Sequence, residues 1–254
     1  MKKTLTAERR NKLAQILLTS GSVRVGELAE LFHVSTETIR KDIIYLDKEG
    51  IAKKSHGGAM AAMDTIERPV SVKEFENTEK KAKIAAKALD LIPANGTILL
   101  DTGSTIYALA KLLTLKRGLT IFTNSLNTAI LLTESDNKIY TFGGSVRKSS
   151  YGIVGHWADD ELSSISLNIA FLGTDGFQNS TGPCSTSFSE ADFKKRCVER
   201  SRQTAILTDS SKFSINSIYK IADWDDIDYL VTDTDAPKNI RDIIGNNTEI
   251  LYSE

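Results

Sequence analysis

The sequence predicts a chain of two parts: a small, mainly helical unit, then a larger α/β unit built on a mostly parallel sheet. Three observations carry this. The chain has 254 residues, room for two cores at about 100–200 residues each. Residues 1–60 hold three short runs of helical period. Beyond residue 93 short apolar runs alternate with helical stretches, the pattern of a parallel sheet covered on both faces. With 41% hydrophobic and 26% charged residues the composition is that of a soluble globular protein. No stretch approaches about 18 consecutive apolar residues, so no transmembrane helix is expected. Residues 1–10 are charged and lack the apolar core of a signal peptide, which makes a cytoplasmic, membrane-free protein the expectation. Cys184 and Cys197 are the two cysteines; they supply neither a disulfide framework nor a four-ligand zinc cluster. No metal and no cofactor are expected.

The first helical run covers about 7–19, with Leu13, Ile16 and Leu17 at helical spacing and Gly21 as its stop. Ser22 suits the cap of a second helix, about 25–32, whose apolar face is Leu28, Ala29 and Leu31. His33 and Val34 make a tight connection. Ser35 caps a third helix, about 36–49, with Ile39, Ile43 and Leu46 inward, Glu37 in its first turn and Gly50 at its end. Two helices joined by such a turn make a helix-turn-helix, which inserts the N-terminal end of its second helix into the DNA major groove. Here that end carries Ser35, Thr36, Thr38, Arg40 and Lys41, hydroxyls and cations that reach base edges and phosphates. The following stretch Ile51-Ala52-Lys53-Lys54-Ser55-His56-Gly57-Gly58-Ala59 suits a short hairpin, the wing of a winged helix. Lys53, Lys54 and His56 would then face the phosphate backbone. Charge agrees: residues 1–60 hold 11 basic and 7 acidic residues, the remainder 21 and 26, so the chain's net −1 conceals a basic end. A three-helix module that binds another protein is the alternative.

Residues 61–78 read as a linker, polar and broken by Pro69. A helical pattern resumes over 79–91. Candidate strands then fall at 98–100, 119–123, 139–142, 167–172, 204–208, 229–231 and 249–251. Candidate helices fall at 105–113, 126–134, 158–165, 190–200 and 237–244. In such sheets ligands bind beyond the C-terminal strand ends. Those ends read Asp101-Thr102-Gly103-Ser104-Thr105, Thr123-Asn124-Ser125, Gly143-Gly144-Ser145, Gly173-Thr174-Asp175-Gly176 and Asp209-Ser210-Ser211-Lys212. Each is also ordinary turn chemistry. Their recurrence at one rim, with Lys212, Asp101 and Asp175 among them, points to a polar pocket for an anionic ligand, with a phosphate at a Gly-Ser-Thr helix start.

Other residues read as structure. Cys197 suits a core position, whereas Cys184 suits an exposed loop thiol. Trp157 and Trp224 suit packing anchors, and His156 a helix start. Lys80-Lys81 and Lys194-Lys195-Arg196 suit solvated helix faces, and the acidic run at 223–228 lacks the ligand spacing of a calcium loop.

These motifs together resemble the DeoR family of bacterial transcription regulators. The likeness lies in Arg9-Arg10, Val25-Gly26-Glu27-Leu28-Ala29, the run from Val34 to Asp42, His56-Gly57-Gly58-Ala59, the five strand-end motifs and Arg147. The match runs in order over about 3–235. It implies a winged helix-turn-helix domain at 1–60, a linker at 61–78 and a sensor at 79–254. The sensor's fold would be of the ribose-5-phosphate isomerase and CoA-transferase type. It also implies roles: Gly103, Ser104 and Thr105 hold a phosphate, Asp175 binds sugar hydroxyls, and Lys212 meets the ligand's charge. Thr123, Asn124 and Gly144 line the rim, Asp101 belongs to the same site, and Lys194 lies near the pocket. The segment Gly182-Pro183-Cys184-Ser185-Thr186-Ser187 departs from the Gly-Leu-Thr-Thr of the family.

The implied function is repression of a carbohydrate operon under control of a phosphorylated sugar, with double-stranded operator DNA as partner. Few phosphate contacts per winged helix imply a homo-oligomer, dimer or tetramer. The alternative is a sugar-phosphate isomerase-like enzyme with a DNA-binding appendage. Asp175 is followed by Gly176 and Phe177, not a second carboxylate, so no catalytic residue is assigned.

Overall fold

Leu13 and Leu17, four residues apart, turn one face of the first helix inward, as the 3.6-residue period requires. The computed structural model of the chain describes residues 6–20, 22–48, 51–55, 57–61, 68–177 and 179–254. Gly21, Gly50 and His56, expected as two helix stops and a wing residue, lie outside them. The chain divides into two compact units, residues 1–68 and 69–254.

The first unit runs α1 (Thr6–Ser20), β1 (Ser22–Arg24), α2 (Val25–Phe32), α3 (Thr36–Lys48), β2 (Ala52–Ser55) and β3 (Gly58–Ala61). His33 takes a left-handed conformation (φ 52°) and ends α2, which lets the chain turn at once into α3. Ser35 caps α3, its Oγ accepting from the Thr38 N–H at 3.2 Å. Leu28, Ile39, Ile43 and Leu46 meet Leu13 and Leu17 in one core. Ser22, expected to cap α2, instead begins a strand that pairs antiparallel with β3. The reason is Val23, which buries against that core while its neighbours stay exposed. The sheet order is β1-β3-β2. A Cβ on Gly58 would stand 2.0 Å from the Val23 carbonyl oxygen, so only glycine lets these strands approach. Asp42, 1% exposed, ties α1 to α3 through Arg9 Nε (2.6 Å) and Arg10 Nε (2.9 Å).

The second unit begins with a one-turn helix, α4 (Val70–Lys73), and α5 (Thr78–Ala88). Then come β4 (Thr97–Leu100), α6 (Ser104–Leu113), β5 (Thr120–Thr123), α7 (Leu126–Leu132) and β6 (Lys138–Thr141). A small antiparallel pair follows, β7 (Ser145–Val146) and β8 (Ile153–Val154), then α8 (His156–Ser163) and β9 (Leu167–Leu172). The chain continues through β10 (Cys184–Ser185), α9 (Phe188–Arg200), β11 (Ser201–Leu207), β12 (Tyr219–Lys220), β13 (Tyr229–Asp233), α10 (Ile240–Ile244) and β14 (Glu249–Ser253). Seven strands form one sheet in the order β14-β13-β11-β9-β4-β5-β6, every pairing parallel. Alternate residues face opposite sides: Ile98, Leu100, Ile169 and Phe171 enter the core under α5 and α6, while Leu99, Ala170 and Leu172 enter the core under α8 and α9. No described helix is long and apolar enough to cross a membrane.

Other positions also depart from what the sequence pattern predicts. Residues 69–78, assigned to a linker, belong to the second unit, where Val70 is buried and its N–H donates to the Ser149 carbonyl at 2.8 Å. Lys81, expected on a solvated face, is buried, because its Nζ caps the carbonyls of Lys73 and Glu76. Cys184 is 2% exposed rather than a loop thiol, held in a strand pair with β12, and burial pushes its thiol pKa up. Trp157 is 72% exposed rather than a buried anchor, whereas Trp224 packs edge-on against Phe177 in the core.

Candidate functional site

The chain leaves β4 toward β5 and β6 on one side, then returns to β9 on the other. The connections after β4 and β9 therefore leave toward opposite faces of the sheet, the position at which open α/β sheets form a ligand crevice beyond their C-terminal strand ends. Asp101 follows β4 and is fully buried. Its Oδ2 accepts from the Gly173 N–H (3.1 Å) just beyond β9 and pairs with Lys194 Nζ at 3.0 Å. Lys194 also donates to the Gly173 carbonyl at 2.9 Å. Burial by itself would favour its neutral amine, but Asp101, Glu190 and Asp175 outweigh this and hold it protonated, above the ordinary lysine range. Glu190, one turn earlier on α9, is buried and paired with Arg147 Nε at 3.2 Å.

Asp175 lies just beyond the end of β9. Its Oδ1 meets Lys73 Nζ at 2.7 Å. Its Oδ2 accepts from Ser185 Oγ (3.2 Å), the Thr186 N–H (3.0 Å) and Thr186 Oγ1 (3.0 Å). Burial would raise this carboxyl, but Lys73 and Lys194 together hold it well below the usual carboxylate range. The segment that departs from the family pattern is thus the one that supplies hydroxyls to Asp175.

The β4–α6 turn supplies the second component. Gly103 adopts φ +130° immediately before α6, a conformation that L side chains rarely take. Ser104 and Thr105 open the helix, whose first N–H groups lack intrahelical acceptors and favour an anion. Thr123 is fully buried and its Oγ1 accepts from the Ser125 N–H at 3.1 Å. Asn124 is 1% exposed, and its Oδ1 has no hydrogen-bond partner among the described residues. Gly144 packs on the β8 backbone, where a Cβ would stand 2.7 Å from the Val154 oxygen. Lys212 lies half-buried in a 3-10 turn after β11. At that same end Lys80 Nζ meets Asp233 (3.0 Å), Asp235 (2.7 Å) and Ser210 Oγ (2.8 Å), which fastens α5 to the rim. No group of three or more His, Cys, Asp or Glu among the described residues has metal-binding geometry.

In the first unit, Ser35, Thr36, Arg40 and Lys41 are exposed at the start of α3, with Thr38 half-buried beside them. Arg40 lies 3.7 Å from Glu37, both exposed, a pairing weak enough to exchange for phosphate. Lys53 and Lys54 are exposed on β2, and Lys54 meets Asp47 at 3.2 Å.

Three residues of this constellation were missed as site residues. Glu190 and Arg147 stand inside motifs already singled out, but their partnership spans 43 positions. Lys73 stands in a segment that reads as linker. Nothing local marks it beyond a cation four residues after Pro69.

A profile of the DeoR C terminal sensor domain matches residues 76–234, and one of the DeoR-like helix-turn-helix domain matches residues 9–65. The chain is 35% identical to the uncharacterized HTH-type transcriptional regulator YulB of Bacillus subtilis (strain 168), over 91% of this chain and 90% of that one. It is 30% identical to the glycerol-3-phosphate regulon repressor of Escherichia coli (strain K12), over 93% and 94%. Among solved structures, ribose 5-phosphate isomerase A from Methanocaldococcus jannaschii is similar over 54% of this chain and 55% of its own. That likeness has a TM-score of 0.41 and 19% identity.

Proposed function

The chain belongs to the DeoR family of transcription regulators, and from this premise we infer that it is a DNA-binding repressor of a carbohydrate operon, controlled by a phosphorylated sugar bound in its second unit. The observation that carries the effector half is the charged crevice at the sheet's reversal. There the Lys194–Asp101 pair and Asp175 stand at the ends of β4 and β9, and Gly103-Ser104-Thr105 follows Asp101 directly in the chain as the start of α6. Carboxylates accept sugar hydroxyls, and a helix N-terminus with hydroxyls accepts a phosphate. Gly103, Ser104 and Thr105 take the phosphate in this reading. Asp175 takes the sugar, Lys194 and Asp101 fix the floor, and Asn124 Oδ1 offers a further acceptor. Thr123, Gly144 and Lys212 complete the rim.

The DNA half rests on the exposed start of α3. Ser35, Thr36, Thr38, Arg40 and Lys41 enter the major groove, while Lys53 and Lys54 face phosphates. One winged helix makes few phosphate contacts, so operator binding calls for a symmetric dimer or tetramer. Arg40→Ala with Lys41→Ala is expected to weaken operator binding and to reduce its salt slope by up to about two charges. A titration against operator DNA over several salt concentrations measures both.

The effector half is tested by thermal shift against sugar phosphates and their unphosphorylated parents. A ligand at a hundred times its Kd adds about 2.7 kcal/mol. A response confined to one phosphorylated sugar supports the reading. The same panel is assayed for product: sustained turnover would replace a sensor with an enzyme.

A further inference from the structure

We propose that Lys73 is an internal competitor for the effector: its ammonium holds the Asp175 oxygen that a sugar hydroxyl would take, so that effector binding releases α4 from the crevice. This rests on the reading of Asp175 as a sugar acceptor. It adds which element the ligand moves.

The two oxygens of Asp175 differ in what they have left to give. Oδ2 already accepts from Ser185 Oγ, the Thr186 N–H and Thr186 Oγ1, which exhausts its lone pairs. Capacity remains on Oδ1, and there Lys73 Nζ sits at 2.7 Å. The Asp175 side chain is only 14% exposed and Lys73 20%, so a ligand hydroxyl reaches Oδ1 by displacing the ammonium. Other cations of the crevice are held more firmly: Lys194 by Asp101 and the Gly173 carbonyl, Arg147 by Glu190 and Ser189. Among the described residues Lys73 Nζ is bonded to Asp175 alone, on a flexible four-carbon stem.

What Lys73 holds in place is a single helical turn. A helix of four residues has no stability of its own, so contacts position it. They include buried Val70, the bond to Ser149, Lys81 on the Lys73 carbonyl, and the Lys73–Asp175 pair. Pro69, immediately before α4, is the first residue of the second unit. The segment released is therefore the one that continues directly into the DNA-binding part of the chain. A ligand can act on DNA binding only by preferring one of two arrangements. Losing Lys73 from Asp175 supplies such a difference.

The test is hydrogen–deuterium exchange of the full chain, alone and with glycerol 3-phosphate, ribose 5-phosphate, fructose 6-phosphate or glucosamine 6-phosphate. With the probe that binds, exchange over 174–187 slows, while exchange over 72–77 quickens by about fivefold or more. Without any probe, Lys73→Met and Asp175→Asn each quicken 72–77 to a similar degree. Lys73→Met also tightens binding of that probe by about three- to tenfold, since a competitor is gone, and Lys73→Arg leaves it near the original value. If 174–187 slows but 72–77 does not change, sugar and Lys73 share Asp175, and the proposal fails while the sensor reading stands. Unchanged exchange over 72–77 in both variants overturns it too. If no probe slows 174–187, the sugar-phosphate reading itself fails and the proposal falls with it.

Discussion

Asp42 shows how much one side chain can carry. It is almost wholly buried and faces two arginines of α1, so removing its charge strands Arg9 inside the first unit. Breaking a buried pair from one side costs about 3–5 kcal/mol. Asp42→Asn is expected to lower the unfolding free energy of the first unit by about that much, read by urea denaturation followed by circular dichroism. Asp175 carries a pH signature instead. Its carboxyl is held below the usual range in the folded chain. The stability it contributes is complete above the unfolded value of about 3.9 and is lost as pH falls below it. Unfolding of the second unit is therefore expected to steepen below about pH 4, with a contribution of about 1.4 kcal/mol per pH unit that Asp175→Asn removes. A series of denaturation curves between neutral and acid pH checks the sign: an unchanged acid limb in the variant contradicts it.

At the scale of elements, the wing depends on a backbone approach that no pattern of hydrophobicity encodes. Gly58 lies against the Val23 carbonyl, so Gly58→Ala must part β1 from β3. Overpacking of this kind costs about 1–3 kcal/mol. The variant is expected to lose operator affinity more than Lys53→Ala does, because it displaces the whole hairpin rather than one cation. Melting curves and DNA titrations on the two variants measure it. Ser35→Ala tests the start of α3: its cap bond to Thr38 is worth about 1 kcal/mol, and the same hydroxyl is among those offered to DNA. Loss of affinity beyond the loss of stability separates the two roles.

For the whole molecule, each unit has its own core: the cluster around Leu13 and Ile39 belongs to residues 1–68, and the two flanking the large sheet belong to residues 69–254. Independent cores allow independent unfolding. Calorimetry is expected to resolve two transitions. Asp42→Asn lowers one, a bound sugar phosphate raises the other, and a single transition shifted by both would show the units to be energetically coupled.

The sequence by itself determined the strands of the large sheet and the helices of the DNA-reading motif. All seven strands of the large sheet stand within a few residues of where their apolar runs predict them, and α2 and α3 start where the periodicity does, because burial on one or both faces writes a repeat of 3.6 or 2 into the chain. The strand-end motifs were legible for the same reason: a turn needs Gly, Ser, Asn or Asp whatever it later binds. Only the tertiary structure decided which of those residues meet. Lys194 lies 93 positions from the Asp101 it neutralises, Lys73 lies 102 positions from Asp175, and Lys81 is buried against the carbonyls of Lys73 and Glu76, in a stretch that has no pattern of its own. Charged partners across such separations leave no periodic trace, since a lysine reads as solvated until the fold sets a carboxylate or carbonyl beside it. The crevice is likewise a property of strand order. It opens where the chain reverses direction across the sheet, between β4 and β9, and that order is fixed by packing both faces of the sheet at once.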